Sequence, residues 1–288
     1  MKILSERIAA AFTASCRDEI HAPKPGNVHV LSPAGRKTPE DFLRSAAAAA
    51  APLTAPGTRV GRRIFDAVES ARAAVAARNT NLGIILLCAP LAAAAEKNTA
   101  DLPEAVARVL RELDVADTEL AFRAIVAAAP GGLGRAERHD VFGPATVTLR
   151  QAMAEAADRD RIARQYAADF EDVFTLGEPV LEAALVRGNE RKWATLSVFL
   201  GFLSTFCDSH IVREHGNAIA KEVRRAAATL LEQFNAARDP AEVLPELLAY
   251  DRSLKARSIN PGTSADLTVA TLFANRLRNI LPFARNND

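Results

Sequence analysis

The spacing of apolar residues is the feature that most constrains how this chain can fold. Through long stretches these residues recur at steps of three and four, which places them on one face of a helix. No convincing alternation of apolar and polar residues, as in a strand, interrupts the pattern. Alanine and leucine, which dominate these stretches together with arginine, favour helix. The pattern therefore predicts an all-α fold.

We expect about twelve helices in a single domain spanning residues 1–288, because no linker is long or biased enough to separate two domains. The predicted helices cover residues 3–20, 39–51, 59–77, 82–95, 102–112, 116–128, 143–156, 159–173, 177–187, 191–235, 240–255 and 264–280. The stretch 191–235 is expected to form either two helices or one helix kinked at Gly216.

The composition, with 49% hydrophobic and 25% charged residues, is that of an ordinary globular protein. A net charge of +1 gives neither nucleic acid nor an anionic membrane an electrostatic reason to bind. The three cysteines lie far apart, which indicates reduced thiols and no zinc site. The N-terminal residues do not resemble a secretory signal, and the apolar stretch Leu82–Ala95 is too short to span a membrane comfortably. We therefore expect a cytoplasmic protein without a membrane partner.

The first helix carries a carboxylate at the end of its apolar face. The residues on that face are Leu4, Ile8, Ala11, Ser15 and Glu19. A carboxylate there is costly unless it has a partner, and Lys24 follows just after the turn. Two interpretations of Glu19 stay open. It has a structural role, in an ion pair with Lys24 or at a solvated helix end, or it is a functional carboxylate.

The last helix repeats this arrangement at its opposite end. Asp266 continues an apolar series of Ala270, Phe273, Leu277 and Ile280. Ser264 stands where an N-cap is expected, and Asp266 suits the positive end of the helix dipole. The Pro-Gly-Thr-Ser turn before it also offers backbone N–H groups and hydroxyls that suit a phosphate.

The segment from Phe206 to Gly216 is the densest polar cluster in apolar surroundings. On a helix, Asp208 would share one face with Ser204, Ile211 and His215, which makes Asp208 the best candidate for a buried carboxylate. His210 and Glu214 are four residues apart and form either an exposed ion pair or part of a site. The spacing is not that of a zinc site.

A fourth polar segment, residues 79–83, separates two apolar helices. Its Asn and Thr side chains are expected either to cap the helix that follows or to approach a ligand beside Gly83. Acidic groups at several such positions suit Mg²⁺, a hard cation that prefers oxygen ligands and phosphate.

Five segments carry a family resemblance, in order along nearly the whole chain. They are Glu19–Val28, which contains Pro-Lys-Pro-Gly; Phe42–Ala46; Asn79–Gly83; Asp208–His210; and Asn260–Leu267, preceded by Asp251. These segments resemble the motifs of the triphosphoribosyl-dephospho-CoA synthase family, the first and last of them most specifically.

The resemblance implies an all-helical, Mg²⁺-dependent transferase whose partners are ATP and a phosphorylated acceptor, 3′-dephospho-CoA. In such enzymes the acceptor 2′-hydroxyl attacks C1 of the ATP ribose, adenine leaves, and the triphosphate stays on the product. It implies catalytic roles for Glu19, Asp208 and Asp266, with both aspartates also binding Mg²⁺. Substrate or phosphate binding falls to Lys24, Gly26, Asn79, Thr80, Arg213, His215, Asn260, Gly262 and Ser264.

The chain also departs from the family's pattern. Asn81 and Leu82 stand where the family has His and Lys, and Gly132–Glu137 keeps only part of a glycine-arginine segment. Two alternatives therefore remain open: a related transferase in another cofactor pathway, such as that of a pterin- or furan-type one-carbon carrier, and a non-catalytic nucleotide-binding protein. Alanine-rich helical faces are expected either to form a homodimer or to pack tightly inside the chain.

Overall fold

Helices make up the secondary structure of the protein in a computed structural model that describes residues 2–32, 38–76, 80–97, 101–130 and 133–281. Thirteen α-helices lie within these ranges: α1 (Lys2–His21), α2 (Pro39–Leu53), α3 (Val60–Ala74), α4 (Leu82–Ala95), α5 (Leu102–Glu112), α6 (Val115–Ala128), α7 (Leu149–Ala154), α8 (Arg161–Ala167), α9 (Glu178–Val186), α10 (Arg191–Thr205), α11 (Ser209–Ala236), α12 (Leu244–Ala256) and α13 (Gly262–Ile280). A π-helical turn (Val173–Gly177) and a 3-10 turn (Pro240–Val243) join them. No strand occurs in the described residues, so the all-α prediction is confirmed.

The predicted helix boundaries are least accurate between residues 143 and 177. The helix predicted at 143–156 begins only at Leu149, because Thr148 and Gln151 form a capping box there. The helix predicted at 159–173 ends at Ala167, before two residues with positive φ angles, Asp169 and Phe170.

The long predicted helix at 191–235 is both divided and kinked. Helix α10 ends at Thr205, and α11 begins at Ser209. Inside α11, Gly216 has a φ of 82° and a ψ of 169°, values that glycine adopts without a steric penalty. Both alternatives that the sequence left open are therefore realised in this segment.

Helices α4 and α13 form the centre of the larger apolar core. Nearly every residue of α4 from Ile84 to Ala95 is buried, which confirms the prediction of a buried core helix. Helix α13 packs against α1, α4 and α10, and Phe273 meets Phe12 of α1 edge to face with ring centroids 5.9 Å apart. Burial of one such side chain stabilises the fold by about 1.5–3 kcal/mol.

The packing of α1 on α13 sets the position of two predicted carboxylates. Ile8, Ala11, Ser15 and Glu19 are all buried, so most of the predicted apolar face of α1 is confirmed. Glu19 lies near the C-terminal end of α1, and Asp266 lies in the N-terminal part of α13. The two helices therefore bring these carboxylates to the same end of the core.

A smaller apolar core lies on the other side of α10. Leu200 and Leu203 of α10 pack there with residues of α11 and α12, whereas Phe202 of the same helix belongs to the larger core. Helix α10 thus connects the two cores. Among the helices of the described residues, none alone has the length and apolar character needed to cross a membrane; α10 and α11 pass that test only as a pair, bent by 48° at their break.

Alanine-rich faces pack inside the chain. In α2, Ala46, Ala49 and Ala50 are buried, and in α4 the alanines near the C-terminal end are buried as well. Internal packing, one of the two sequence alternatives, accounts for these faces, and the homodimer stays a prediction. All three cysteines are free, as expected.

Candidate active site

A cavity of about 890 Å³ opens where four helices begin. Residues at the N-terminal ends of α4, α8, α11 and α13 line it, together with Glu19 of α1 and the turn that follows α1. The N-terminus of a helix carries partial positive charge and backbone N–H groups that lack a partner within the helix. Carboxylates already accept N–H groups at three of these ends, Asp160 at α8 and Asp208 at α11 and α13, so it is mainly the helix dipoles that favour an anionic ligand here.

Most of the predicted site residues, catalytic and substrate-binding taken together, line this cavity. They are Glu19, Gly26, Thr80, Arg213, Asn260, Gly262 and Asp266. Four others do not form part of its wall: Lys24, Asp208, His215 and Ser264. Asn79 lies outside the described residues. Glu19 and Asp266, from the first and last motifs, therefore face a common space.

Glu19 and Lys24 form a buried ion pair at the end of α1. Lys24 Nζ lies 2.9 Å from Glu19 Oε1 and donates a hydrogen bond of 2.8 Å to the Val28 carbonyl. The ion pair expected as one alternative therefore forms, and because Glu19 also lines the cavity, its role as a functional carboxylate stays a prediction. Burial raises the pKa of Glu19 and lowers that of Lys24, while the opposite charge of the partner acts against each shift.

The Pro-Lys-Pro-Gly turn is wedged against the segment that precedes α13. Gly26 has a φ of +80°, and a Cβ there would lie 2.9 Å from the Ile259 carbonyl oxygen and from Pro261 Cδ. Only glycine fits this position, because any other residue would be strained at this positive φ and its Cβ would collide with the segment before α13. Asn27 Nδ2 donates a hydrogen bond of 2.8 Å to Asn260 Oδ1, which joins the first motif to the last.

Asp251 of α12 binds this turn through a hydrogen bond from its backbone. Its Oδ1 accepts the Gly26 N–H at 2.8 Å and lies 2.8 Å from Lys255 Nζ, and His29 Nε2 lies 3.5 Å away. Burial acts to raise the pKa of Asp251, but the contacts with His29, Lys255, Ser32 and the Gly26 N–H lower the pKa to about 2.

Lys255 also lines the cavity, although sequence reasoning missed it. The available signal was its position four residues after Asp251, a spacing that places both side chains on one face of α12. Burial lowers the pKa of Lys255, and its contact with Asp251 opposes that shift.

Asp208 caps two helices at once. Its Oδ1 accepts the N–H groups of His210 at 3.0 Å and Ile211 at 3.2 Å, in the first turn of α11. Its Oδ2 accepts the N–H of Ser264 at 2.7 Å and the Ser264 hydroxyl at 2.8 Å, in the first turn of α13. The side chain is buried, as predicted, and burial raises its pKa against these bonds. With two hydrogen bonds to each oxygen, the carboxylate has no lone pair left for a ligand.

Two local predictions around this carboxylate are wrong. Asp208 does not lie within a helix, because Phe206 leaves α10 with extended backbone and α11 starts after Asp208. The helical face it was expected to share with His215 therefore does not exist. Ser264 is not the N-cap of α13; Pro261 occupies that position, and Ser264 lies in the first turn.

Asp266 projects into the cavity against the first turn of α4. A Cβ on Gly83 would lie 2.0 Å from Asp266 Oδ2, so the absence of a side chain at position 83 makes room for this carboxylate. Burial and the negative charges of Glu19, Asp208 and Asp160 raise the pKa of Asp266 well above its usual value, and Arg213 opposes them.

Of the polar residues before α4 that the structure describes, neither Thr80 nor Asn81 caps that helix with its side chain, contrary to one of their predicted roles. Asn81 occupies the N-cap position, but its amide donates to Ser45 Oγ at 3.0 Å and to the Phe42 carbonyl at 3.1 Å. Thr80 Oγ1 donates to Ser45 Oγ at 2.6 Å. These bonds fix the start of α4 to α2, and the positive end of α4 lies at the cavity beside Asp266.

The two histidines of α11 differ in position. His210 lines the cavity, with Nδ1 2.8 Å from the Asn260 carbonyl oxygen and Nε2 3.4 Å from Glu214 Oε1, so the predicted histidine–glutamate contact forms. His215 lies 3.1 Å from the Ser258 carbonyl oxygen outside the cavity wall. Position alone therefore favours His210 over the predicted His215 as a ligand contact.

The cavity wall combines cationic side chains with carboxylates, a composition that suits a phosphorylated ligand. Arg213 and Lys255 line it beside the helix N-termini, and Glu19 and Asp266 supply carboxylates. Within the described part of the chain, no group of three or more His, Cys, Asp or Glu side chains has the geometry to hold a metal ion. A cation here would depend on phosphate oxygens as well as on protein.

Residues 5–283 match the sequence profile of ATP:dephospho-CoA triphosphoribosyl transferases. The chain belongs to this family. The match spans nearly the whole chain and includes every residue of the cavity wall. A member of the ATP:dephospho-CoA triphosphoribosyl transferase family is a transferase of cofactor biosynthesis with ATP as a substrate.

One solved structure similar to this chain comes from Archaeoglobus fulgidus and is provisionally assigned as a triphosphoribosyl-dephospho-CoA synthase. The two chains are 24% identical, with a TM-score of 0.64, and the match covers 84% of this chain and all of the other. This likeness supports the fold. No curated protein sequence matches the chain. Neither of the alternatives raised by the sequence, another cofactor pathway or a non-catalytic protein, gains support from these comparisons.

Proposed function

We propose that the protein transfers the 5-triphosphoribosyl group of ATP to the 2′-hydroxyl of 3′-dephospho-CoA in the cavity bounded by Glu19 and Asp266. The hydroxyl oxygen forms a bond to C1 of the ATP ribose as the bond from C1 to adenine breaks. The proton lost by the hydroxyl balances the proton gained by adenine. The products are 2′-(5″-triphosphoribosyl)-3′-dephospho-CoA and free adenine. The observation that carries the proposal is the convergence of the first and last family motifs on one cavity.

The triphosphate binds where the helices begin. The N-terminal residues of α11 and α13, the side chains of Arg213 and Lys255, and the wedged turn at Gly26 all border this part of the wall. Because Asp208 already accepts N–H groups from the first turns of both helices, the two cationic side chains are the main partners of the triphosphate, and the positive ends of the helix dipoles add to their attraction. Lys24, in contrast, neutralises Glu19 and holds the turn through Val28, so its role here is positioning and not phosphate contact.

Glu19 accepts the proton of the attacking hydroxyl. Lys24 holds Oε1, and the side chain lines the cavity, so the carboxylate is oriented toward the substrate. Burial raises the pKa of Glu19 toward the working pH, which makes it a better general base than an exposed glutamate. The apolar wall of the cavity, which includes Phe122 and Ile162, excludes water from the electron-poor C1 centre.

Mg²⁺ fits this site as an ion carried by the nucleotide. Asp266 faces the cavity, and Mg²⁺ commonly binds one or two carboxylates together with substrate phosphates. Asp208 does not fit, because both of its oxygens already accept two hydrogen bonds. When bound, Mg²⁺ would neutralise charge on the triphosphate. We therefore assign Asp266 to the ion and Asp208 to positioning.

ATP and dephospho-CoA are substrates of the cell interior, so we place the enzyme in the cytoplasm. The three free cysteines agree with a reducing compartment.

Adenine release tests this proposal. Purified protein is incubated with ATP, Mg²⁺ and dephospho-CoA, and adenine is quantified by chromatography against a sample without acceptor. Glu19→Gln is expected to lower kcat by about 10²–10⁴-fold, the usual contribution of general base catalysis. Glu6→Gln, on the exposed side of the same helix, is the matched control and should leave kcat unchanged. Binding of ATP without adenine release would favour the non-catalytic alternative and reject the proposal.

A further inference from the structure

Three arginines that have no role in the proposed reaction so far lie together on an exposed side of the same cavity. Arg138 and Arg159 line the main cavity and also an adjoining hollow of about 320 Å³, and Arg135 lines the hollow. We call these three residues the arginine cluster. The carboxylates in the wall of the hollow are Glu137 and Glu155, so guanidinium groups outnumber carboxylates there.

The segment that carries two of these arginines is braced by its own contacts. Asp140 accepts the N–H groups of Ala136 at 2.7 Å and of Phe142 at 2.8 Å. The Arg135 guanidinium lies over the Phe142 ring, 4.2 Å from its centroid. These hydrogen bonds and the contact between Arg135 and Phe142 fix the conformation of the segment, and with it the position of the arginines, although the segment is neither helix nor strand.

The remaining arginine, Arg159, reaches the cluster from the turn between α7 and α8. Arg159 Nη1 donates to the Glu155 carbonyl at 3.0 Å, and the Glu155 carboxylate accepts a hydrogen bond from Arg138. Glu155 thus holds both guanidinium groups on one side, and the Arg138 side chain stays 71% exposed. Each arginine retains N–H groups beyond those used in these contacts, since a guanidinium has five.

Apolar surface adjoins the cluster. Leu133 and Val141 flank the arginine segment, Met153 lies two residues before Glu155, and all three line the main cavity. A ligand held by the arginines can therefore extend an uncharged arm along this surface.

The proposed reaction requires two polyphosphate chains in one cavity. In the proposed reaction, Arg213 and Lys255 take the triphosphate, which leaves the acceptor diphosphate without a cationic partner in that part of the cavity. Resting on the proposed function, we infer that the arginine cluster binds the diphosphate of the acceptor nucleotide, with the adjoining apolar wall taking its uncharged arm. Planar guanidinium groups bind phosphate oxygens in pairs, which also orients the chain.

Calorimetric titration with each substrate alone tests the inference without turnover. Wild type, Arg138→Ala and the double variant Arg138→Ala/Arg159→Ala are titrated with dephospho-CoA and, separately, with Mg²⁺–ATP. We expect the Kd for dephospho-CoA to rise about tenfold in the double variant, and the Kd for ATP to stay within about twofold. Arg138→Lys, which keeps the charge but not the paired donors, should fall between wild type and Arg138→Ala.

Arg150→Ala is the matched control, because Arg150 lies on nearby α7, pairs with Asp169 at 2.9 Å and lies outside both cavity walls. It should change neither Kd. An unchanged Kd for dephospho-CoA in the double variant, or an equal rise for ATP, would overturn the inference, as would failure of the wild type to bind dephospho-CoA. If both substrates bind but no adenine forms, the proposed reaction fails while these Kd values still decide the subsite.

Discussion

Gly83 of α4 lies in close contact with Asp266 of α13: a Cβ on Gly83 would lie 2.0 Å from Asp266 Oδ2 and 2.6 Å from Asp266 Cγ. The first turn of α4 can approach the carboxylate this closely because position 83 has no side chain. A residue 183 positions away in sequence thus sets where the Asp266 carboxylate sits in the cavity.

Gly83→Ala should therefore impair activity more than stability. The new methyl group meets the movable end of a side chain, so Asp266 is expected to swing aside while α4 keeps its place. A displacement of about 1 Å in a catalytic group costs on the order of 10²-fold in rate. We expect kcat/KM for adenine release to fall by about 10–100-fold, with little change in Tm by thermal denaturation.

Gly201→Ala provides the matched control, since Gly201 is also helical but a Cβ there meets only ordinary contacts with Val180 at 3.7 Å. Alanine favours helix over glycine by about 1 kcal/mol, so this variant should retain activity and melt at the same temperature or higher. A loss of activity in Gly201→Ala as large as in Gly83→Ala would remove the special role of position 83.

Asp208→Asn should destabilise the protein, because the amide would turn an N–H₂ group toward backbone N–H donors. Each buried donor left without an acceptor costs about 1–3 kcal/mol. We expect the free energy of unfolding in urea to fall by about 3 kcal/mol, and the Mg²⁺ concentration for half-maximal activity of the folded protein to stay unchanged.

Asp114→Asn serves as the control for this substitution. Asp114 caps only α6, and its half-exposed side chain also pairs with Arg59; because Asn caps a helix about as well as Asp, the loss there should be at most about 1 kcal/mol. If Asp208→Asn instead left stability intact and raised the Mg²⁺ requirement, the predicted metal role of Asp208 would stand and the double cap would not explain this residue.

The sequence predicted those parts of the site that local periodicity governs. Glu19 and Asp266 each continue an apolar helical face, and that spacing alone places a carboxylate at the end of each of these faces. The meeting of the two carboxylates follows from the packing of α1 on α13, which no local pattern encodes. The Pro-Lys-Pro-Gly turn was recognised, but the wedge at Gly26 depends on residues more than two hundred positions away.

Other features of the site could not be predicted from the sequence, because they also depend on tertiary packing. Asp208 was placed inside a helix, because its apolar neighbours continue the helical pattern and nothing local reveals that two helix N-termini meet at its oxygens. The sequence left Lys24 either as the partner of Glu19 or, by the family resemblance, as a phosphate contact, and only tertiary packing shows that it is buried against Glu19. Lys255 and Arg138 carry no motif, so only the shape of the cavity identifies them.

Lys24→Met should change the ionisation of Glu19 and leave ATP affinity alone. Loss of the ammonium removes the charge that lowers the Glu19 pKa, so this pKa should rise and the acid limb of the kcat/KM pH profile should shift to higher pH. Breaking one side of a buried ion pair typically costs about 3–5 kcal/mol, and the double variant Glu19→Gln/Lys24→Met should recover much of that stability.

Lys24→Arg, which keeps a positive charge, controls for simple loss of packing and should shift the pH profile less than Lys24→Met. A rise of tenfold or more in the KM for ATP, with an unchanged Tm, would show that Lys24 contacts phosphate as the sequence predicted, and that its pairing with Glu19 is secondary.

Asp251→Asn should lower stability in a pH-dependent manner. The pKa of Asp251 is about 2 in the folded protein, below its ordinary value of 3.8, so the ionised carboxylate stabilises the fold. This contribution is present above the ordinary pKa and is lost as pH falls through the folded value. The difference between the two pKa values corresponds to about 2 kcal/mol. The gap in unfolding free energy between wild type and variant, measured in urea, should be constant from pH 7 to 5 and shrink below pH 4.

Asp66→Asn is the comparison for this last experiment. Asp66 pairs with Arg62 one helical turn away on an exposed face of α3, where an ion pair contributes at most about 1 kcal/mol. A gap for Asp251→Asn that stayed unchanged from pH 7 down to pH 3 would mean that packing, and not charge, is what Asp251 contributes. A gap that closes on acidification would tie the anchoring of the Gly26 turn to the charge on this one carboxylate, since the same oxygen accepts the Gly26 N–H.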